Sequence, residues 1–295
     1  MISRINASFF ALPTAHPLLY TRDMKKVLAL VVFAPLMACV SGSSGTVDTT
    51  GGDDDDTQLP PDDGISGDIT TNTTWTGHVR IVGQTTIPEG VTVTVAAGTT
   101  VEMVGSGAVY VSGVLDASGG TKASPIKIVH GPVLLTSTGN VTYAYVDHEG
   151  GGVHLSGTAT FTATDSKLSN ASGGDFLTMG GGTINVSYST LGETTGATST
   201  HCNLHFDQGY ANNITVMHSN IGGAPYGVML YGATGAVMTF NNWTGNQIDI
   251  STNQLSVDGD FSNGYFAAGA PTPETNATLT LDNLATAMLT DAGPH

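Results

Sequence analysis

The short motif HCNLH carries residues well suited to bind a metal ion. His201, Cys202 and His205 fall within five consecutive positions, and imidazole and thiolate are the ligands that zinc prefers. A closed tetrahedral site needs a fourth ligand about 2.0 to 2.3 Å from the ion. The repeat described below offers His154 and Asp249, but each is expected two coils from His205, about 10 Å away. We therefore interpret the motif as a turn histidine, a buried thiol and an exposed histidine, and assign no metal site to it.

A second stretch, VDGDFSNG, contains candidate calcium ligands. Asp258, Asp260 and Asn263 offer side-chain oxygens within one turn. Their order resembles the start of an EF-hand loop, Asp-x-Asp-x-Asn-Gly, but one extra residue precedes Asn263 and no glutamate follows about six residues later. An Asx-rich turn explains the stretch better, and calcium bound there would have a structural role. We expect no other cofactor.

Asp147 and Asp165 form the one pair of carboxylates with catalytic potential. On adjacent coils they would lie about 5 Å apart, the separation found in retaining glycosidases. In later coils Ser189, Ser219 and Asn242 are expected at the same strand end, where such residues bond backbone amides. We therefore interpret the aspartates as structural and name no catalytic residue.

The N-terminal region has the pattern of a secretory signal. Lys25 and Lys26 precede an apolar run, residues 27–35, that is too short to span a bilayer as a helix. The run ends in LMAC, which resembles the lipobox of bacterial lipoproteins. That resemblance implies that Cys39 is diacylated, anchors the chain to the membrane and becomes the first mature residue. Val40 after it resembles the residue of lipoproteins that are sent to the outer membrane.

The segments on either side of the cleavage site are not expected to fold. The signal peptide, residues 24–38, has its own methionine, Met24, which indicates that translation starts there and that residues 1–23 are a mis-assigned leader. Residues 39–64 contain four consecutive aspartates and no lysine or arginine. Because such a segment buries too little apolar surface to offset the entropy of ordering, we predict a disordered acidic tether.

Charge and cysteine content exclude two further classes of protein. The formal net charge is −16, and only four basic residues follow the tether: Arg80, Lys122, Lys127 and Lys167. Nucleic acid is excluded as a partner because phosphate binding needs a basic surface. Lipidation of Cys39 would leave Cys202 without an intramolecular partner, so a disulfide framework is not expected.

The body of the chain, residues 65–266, consists of short β-rich runs in two alternating series. The first series is VTYAYVDH, ATFTATDS, TINVSYST, NITVMHSN and AVMTFNNW, at intervals of 18 to 30 residues. The second series is GVHLSG, DFLTMG, NLHFDQG, GVMLYG and QIDIST. Two series that keep step predict a solenoid of stacked parallel strands.

Alternation along the second series predicts which side chains point into the core. The predicted inward residues are Val153, Leu155, Leu204, Phe206, Val228, Leu230, Ile248 and Ile250. The predicted outward column is His154, Leu177, His205, Met229 and Asp249. In the first series, TATFTAT from Thr158 resembles the threonine-rich face of ice-binding β-helices. The alignment sets Thr142/Ala144, Asn185/Ser187 and Thr215/Met217 beside it, and therefore predicts that the threonine pattern is not sustained.

The N-terminal coils carry a resemblance to a known family. The stretch IPEGVTVTVAAGTTVE, followed by a glycine-rich strand and SPIKI, resembles the first coils of exported bacterial β-helix proteins. The chain thus resembles the pectin-lyase-like superfamily over residues 65–266. The resemblance implies an all-β fold, a right-handed parallel β-helix, and residues 267–295 are expected to form a C-terminal cap and tail. A β-sandwich is the alternative, but it does not explain the paired series.

The motifs that carry catalysis in this superfamily are absent from the sequence. No arginine follows Arg80, and neither Gly-His-Gly nor Arg-x-Lys occurs. Since one fold hosts many functions, the resemblance by itself assigns none. We predict a non-catalytic β-helix lipoprotein of the cell envelope, anchored in the outer membrane, that serves as envelope structure or binds glycans or cell-surface proteins. The alternative is a polysaccharide lyase or glycoside hydrolase with an atypical site.

Overall fold

The computed structural model describes residues 64–169, 175–192, 201–206, 212–232, 234–253 and 255–295. The predicted leader, signal peptide and lipidated Cys39, and the tether up to residue 63, lie outside the described residues. They stay predictions.

Short strands dominate the described residues, and no helix occurs among them. In chain order the strands are β1 (Ile65–Asp68), β2 (Thr73–Trp75), β3 (His78–Ile87), β4 (Thr92–Val95), β5 (Thr100–Met103), β6 (Ala108–Val111), β7 (Val114–Ala117), β8 (Ile126–Val129), β9 (Val133–Leu135), β10 (Asn140–Ala144), β11 (Val146–Glu149), β12 (Val153–Ser156), β13 (Thr160–Thr164), β14 (Lys167–Ser169), β15 (Leu177–Gly180), β16 (Gly182–Ser187), β17 (Thr190–Gly192), β18 (Cys202–Phe206), β19 (Asn212–Met217), β20 (Asn220–Gly222), β21 (Tyr226–Leu230), β22 (Ala236–Val237), β23 (Asn242–Thr244), β24 (Ile248–Ser251), β25 (Val257–Asp260), β26 (Tyr265–Phe266) and β27 (Ala277–Thr280). A search of the described segments for a helix long and apolar enough to cross a membrane finds none.

The strands stack as a parallel β-solenoid of about 8 turns, which confirms the predicted all-β class and solenoid architecture. Sheet 1 has ten strands in the order β2-β4-β7-β10-β13-β16-β19-β22-β25-β27. The second sheet has 17 strands, which are β1, paired with the long strand β3, and two ladders that both start from β3. Ladder A continues from β3 through β5, β8, β11, β14, β17, β20, β23 and β26, and ladder B through β6, β9, β12, β15, β18, β21 and β24. One coil therefore crosses sheet 1, ladder A and ladder B in turn.

The core lies inside the coils, where alternate residues of every strand meet. Phe206 is 0 % exposed, as the alternation predicts, and six of the other predicted inward residues are also buried. Burying one such side chain contributes about 1.5 to 3 kcal/mol. The prediction is wrong for Ile248, which is 46 % exposed, because it is the first residue of β24 and directly follows a turn.

The outward column of ladder B differs from the predicted one at two positions. Leu177 pairs with Val153 and is fully buried, so Thr178 takes the outward place between His154 and His205. Ser251, and not Asp249, pairs with Met229. The column is therefore His154, Thr178, His205, Met229 and Ser251.

A ladder of buried polar side chains lies at the bend between sheet 1 and ladder A. Ser189 Oγ accepts a hydrogen bond from Ser166 N at 3.2 Å, and Ser219 Oγ accepts one from Ser189 N at 3.1 Å. Asn241 Oδ1 continues the series by accepting from Ser219 N at 2.9 Å. The predicted amide-bonding ladder is thus confirmed for Ser189 and Ser219.

The same prediction is wrong for Asp147, Asp165 and Asn242. Asp165 is one of a set of residues with positive φ that precede the ladder in each coil: Tyr145, Asp165, Tyr188, His218 and Phe240. This residue turns the chain sharply, so the side chain of the residue after it enters the bend. In these three coils the bend position is therefore one residue away from the predicted one. Asp147 and Asn242 each lie one residue after the bend position of their coil, within the strands of ladder A.

The C-terminal residues extend sheet 1 and then lie along the bends. Strand β27 pairs in parallel with β25. Farther on, the Asn242 side chain donates to Leu289 O at 2.9 Å and accepts from Leu289 N at 2.8 Å. His295 N donates to Asp165 Oδ1 at 3.0 Å. The tail therefore contacts several coils through backbone groups.

Candidate metal centre

Four potential metal ligands meet on the outer side of ladder B. Ligand atoms of Asp175, His201, Cys202 and His205, which we name the Cys202 cluster, all lie within 4.8 Å of one another. Over the described ranges, this is the one group of three or more histidine, cysteine or acidic side chains close enough to share an ion.

Strand β18 and the coil before it place these side chains. Leu204 and Phe206 point into the core, so His205 between them points outward. Asp175 lies two residues before β15, on the neighbouring coil, and Phe176 N donates to Cys202 O at 3.1 Å. Because neighbouring strands are about 4.8 Å apart, the Asp175 side chain reaches those at the start of β18.

A buried amide fixes the start of β18. Asn203 is 0 % exposed, and its Nδ2 donates to Gly222 O at 2.7 Å. Gly192 leaves the space that this amide occupies. Its φ is +82°, and a Cβ there would lie 2.1 Å from Gly222 O and 2.6 Å from Asn203 Oδ1. The backbone that carries Cys202 is therefore held from inside the coil.

The Asp175 carboxylate connects the other three ligands. Its Oδ1 lies 2.7 Å from His201 Nδ1 and 2.8 Å from Cys202 Sγ, and its Oδ2 lies 2.9 Å from His205 Nδ1. Burial raises the pKa of Asp175, but hydrogen bonds from the two histidines and the thiol outweigh it and hold that pKa well below its usual range. Burial, together with the neighbouring carboxylate, raises the pKa of the Cys202 thiol.

The spacing of the sulfur and nitrogen atoms fits a tetrahedral ion. Cys202 Sγ lies 3.4 Å from His201 Nδ1 and 3.5 Å from His205 Nδ1. A zinc ion with bonds of about 2.3 Å to sulfur and about 2.0 to 2.1 Å to nitrogen separates such ligands by about 3.5 Å. The contacts of Asp175 are shorter than the edge of that tetrahedron, so its carboxylate would move outward by less than about 1 Å to join it.

Two tyrosines pack against the histidines. The Tyr231 ring is stacked on His205, with centroids 5.0 Å apart and planes 6° apart, and Tyr226 meets His201 edge-on at 5.5 Å. The side chain of His201 is 43 % exposed, whereas Cys202 is buried. The stacking restricts the orientation of His205, and an ion can reach the cluster from the side of His201.

The donor set selects a class of metal. One thiolate, two imidazoles and one carboxylate suit zinc and similar divalent transition ions, whereas calcium and magnesium prefer oxygen ligands alone. Four protein ligands fill a tetrahedral coordination sphere, which is the arrangement of structural zinc sites.

Asp175 is the functional residue that the sequence interpretation missed. That interpretation searched for the fourth ligand at His154 and Asp249, which the structure places two coils from His205 on either side. The prediction set Leu177 of DFLTMG beside His154 and His205, whereas Thr178 pairs with both. Because of this error of one residue, Asp175 was not recognised as a neighbour of the HCNLH motif. An acidic residue at the start of the run one coil earlier is the signal that could have found it.

The two aspartates among the candidate calcium ligands bond to backbone amides. Asp258 and Asp260 both lie on the outer face of β25, where the Asp258 carboxylate accepts from Gly235 N and Asp260 Oδ1 accepts from Ser262 N at 2.9 Å. Asn263 occupies the following turn with a φ of 60°.

Asp147 and Asp165 line one pocket of about 190 Å³, together with Lys122, Tyr145 and His295. Asp147 is in register with two lysines of the adjacent coils, and Asp165 accepts hydrogen bonds from Thr164 Oγ1 and from His295 N. Both carboxylates therefore have basic or hydrogen-bonding neighbours.

Comparison with known proteins finds no family model that matches the chain, no similar curated protein and no similar solved structure.

Proposed function

We propose that this chain is a metal-binding β-solenoid in which a zinc-class divalent ion connects two adjacent coils. The observation that carries the proposal is the convergence of four ligand side chains from two coils within 4.8 Å. Such an ion would join Asp175 to residues 26 to 30 positions later in the chain, and would hold the beginning of β18 against the coil before it.

A structural role suits the cluster better than a catalytic one. Catalytic zinc sites use three protein ligands and keep a position open for water or substrate, whereas this cluster offers four ligands. Binding would also deprotonate Cys202, because the thiolate is the form of cysteine that binds a metal ion.

We place this solenoid in the cell envelope, as a lipoprotein anchored through Cys39 to the outer membrane. The proposal is supported by the apolar run, the LMAC sequence and the acidic tether that follows. The resemblance to the pectin-lyase-like superfamily supports an exported β-helix with an envelope structural or surface-binding role. The carbohydrate-active alternative has one supporting observation, the pocket that Asp147 and Asp165 share.

Metal binding can be tested with cobalt as a spectroscopic substitute for zinc. The full chain carrying Cys39→Ser has Cys202 as its only thiol, since the sequence contains two cysteines. Titration of this metal-free chain with Co²⁺ should give sulfur-to-cobalt charge transfer and the visible bands of a tetrahedral ion, with an end point at one ion per chain. Zn²⁺ should then displace Co²⁺ and remove the colour.

Matched variants decide whether the ion occupies the Cys202 cluster. Cys202→Ser should abolish the charge-transfer band, and His205→Gln should weaken binding by more than about 100-fold, beyond the effect of an outer-shell residue. His130→Gln is the control, because His130 is exposed and lies outside the cluster. The proposal is wrong if Co²⁺ gives no thiolate band, or if Cys202→Ser binds as tightly as the parent chain.

The anchor has a separate test. The unaltered chain should incorporate labelled fatty acid and partition with membranes, and Cys39→Ser should lose both properties because no other residue fits the lipidation site. Membrane partitioning and acyl labelling that survive the substitution would overturn this part of the proposal and leave the metal proposal intact.

A further inference from the structure

The outer face of sheet 1 carries a regular array of uncharged, mostly small and polar side chains over four consecutive strands. The array consists of the outward residues of β10, β13, β16 and β19: Asn140, Thr142, Ala144, Thr160, Thr162, Thr164, Thr183, Asn185, Ser187, Asn213, Thr215 and Met217. All are at least partly exposed. We name these residues the threonine array.

The register confirms the prediction that the Thr-x-Thr pattern of β13 is not sustained, because each neighbouring strand has another residue in place of at least one threonine of the pair. What continues from strand to strand is the absence of charge. Thr160 and Thr162 pair with Asn140 and Thr142 on one side, and with Thr183 and Asn185 on the other. The next strand continues the columns with Asn213 and Thr215. Thr142/Ala144, Asn185/Ser187 and Thr215/Met217 lie in register with Thr162/Thr164, so these two columns mix threonine with other uncharged residues.

The array repeats in two directions. Neighbouring coils are about 4.8 Å apart, and outward residues along one strand are about 6.6 Å apart, since the rise is about 3.3 Å per residue. The pairing of the four strands has no bulge. The intervening residues Val141, Phe161 and Ile184 are fully buried and hold the columns in place from inside. The face is therefore preorganised to meet a ligand that itself repeats in two directions.

The charge of the array points to a neutral ligand. None of its side chains is ionisable, although the chain has a net charge of −16. Acidic residues lie on either side of it, with Asp116 one strand before β10, and Asp258 and Asp260 beyond β19 and β22. The absence of charge is thus confined to the regular part of the face.

Threonine suits contact with ordered water. Its hydroxyl group both donates and accepts, and its branched side chain has few rotamers, so little freedom is lost on binding. Within the described residues, the hydroxyls of Thr142, Thr162 and Thr215 are not engaged with other side chains, and they form the middle column together with Asn185. The methyl groups between them form no hydrogen bonds with water, so the hydroxyl groups determine where bound water molecules lie.

We propose that the threonine array binds the surface of ice, a neutral lattice of hydrogen-bond donors and acceptors. Dissolved small molecules and glycans favour concave sites lined by aromatic rings, and the array is an open sheet face that contains no aromatic ring. This inference is independent of the Cys202 cluster, which lies on ladder B.

The test uses the full chain carrying Cys39→Ser, with ice itself as the probe. Single ice crystals in its solution should stop growing over a measurable interval below the melting point, and recrystallisation in frozen sucrose should slow. Thr162→Arg places a bulky charge at the centre of the array and should reduce both effects at least 5-fold. Thr190→Arg, on ladder A, is the matched control and should retain them.

Circular dichroism of both variants ensures that a lost effect does not come from unfolding. The proposal is overturned if the parent chain leaves ice growth unchanged, or if Thr190→Arg reduces its effect as much as Thr162→Arg. Co-sedimentation with crystalline cellulose or chitin that is lost in Thr162→Arg, without an effect on ice, would assign the array to a polysaccharide surface instead.

Discussion

Occupancy of the Cys202 cluster should change the thermal stability of the solenoid by an amount that the structure allows us to estimate. His201 follows Asp175 by 26 positions, and the two come together only when their coils stack, so the unfolded chain offers no preformed site. An ion that binds only the folded state stabilises it by about 2.7 kcal/mol at a free concentration of about 100 times Kd. For a body of about 230 residues, each kcal/mol raises Tm by about 2 to 4 °C. We therefore expect Zn²⁺ to raise Tm by about 5 to 11 °C.

The assay is scanning calorimetry of the Cys39→Ser chain in chelator and in buffered Zn²⁺, with Kd taken from competition against Co²⁺. Asp175→Asn keeps the size of the side chain but removes its charge, and should lose most of the Zn²⁺-dependent rise. His130→Gln should show the full rise. An equal rise in Cys202→Ser, or an equal rise with Mg²⁺ in place of Zn²⁺, would refute the assignment of the ion to this cluster.

Three further predictions concern the core, the response to pH and catalysis. Phe206→Ala should lower the free energy of unfolding by about 3 to 5 kcal/mol in urea titrations, because Phe206 is fully buried, whereas Ile248→Ala should change it little because that side chain is 46 % exposed. Equal effects of the two would show that the assigned register is wrong. His148 is fully buried against Gly131 O, and burial lowers its pKa from 6.5 to about 4. Because the unfolded chain binds the proton first, the contribution of neutral His148 is complete above pH 6.5 and is lost as the pH falls towards 4, by about 2.5 kcal/mol between pH 7 and 4.5. His148→Leu should remove this part of the pH dependence, and an unchanged profile would contradict the assignment. Finally, the purified chain should not depolymerise pectate, alginate or neutral glucans, and Asp147→Asn should leave that result unchanged; depolymerisation that this variant loses while still folded would establish the enzymatic alternative.

The sequence by itself determined the fold class and much of the core. In each strand, apolar inward residues alternate with polar outward residues, and the two series of runs repeat in step. The stacking of parallel strands can therefore be predicted from the local pattern alone. For this reason the inward position of Phe206 could be predicted without knowing its neighbours. The amide-bonding role of Ser189 and Ser219 could also be predicted, because small polar side chains at a bend have few other partners.

Only the tertiary structure decided which side chains lie beside one another on adjacent coils. At the bend between sheet 1 and ladder A, a residue with positive φ, such as Tyr188 or His218, turns the chain, and the side chain of the next residue enters the bend. An error of one residue in the register of β15 hid the position of Asp175 beside the HCNLH motif. Contacts between coils depend on the exact length and shape of every bend, and neither property is encoded in the alternation of any single strand.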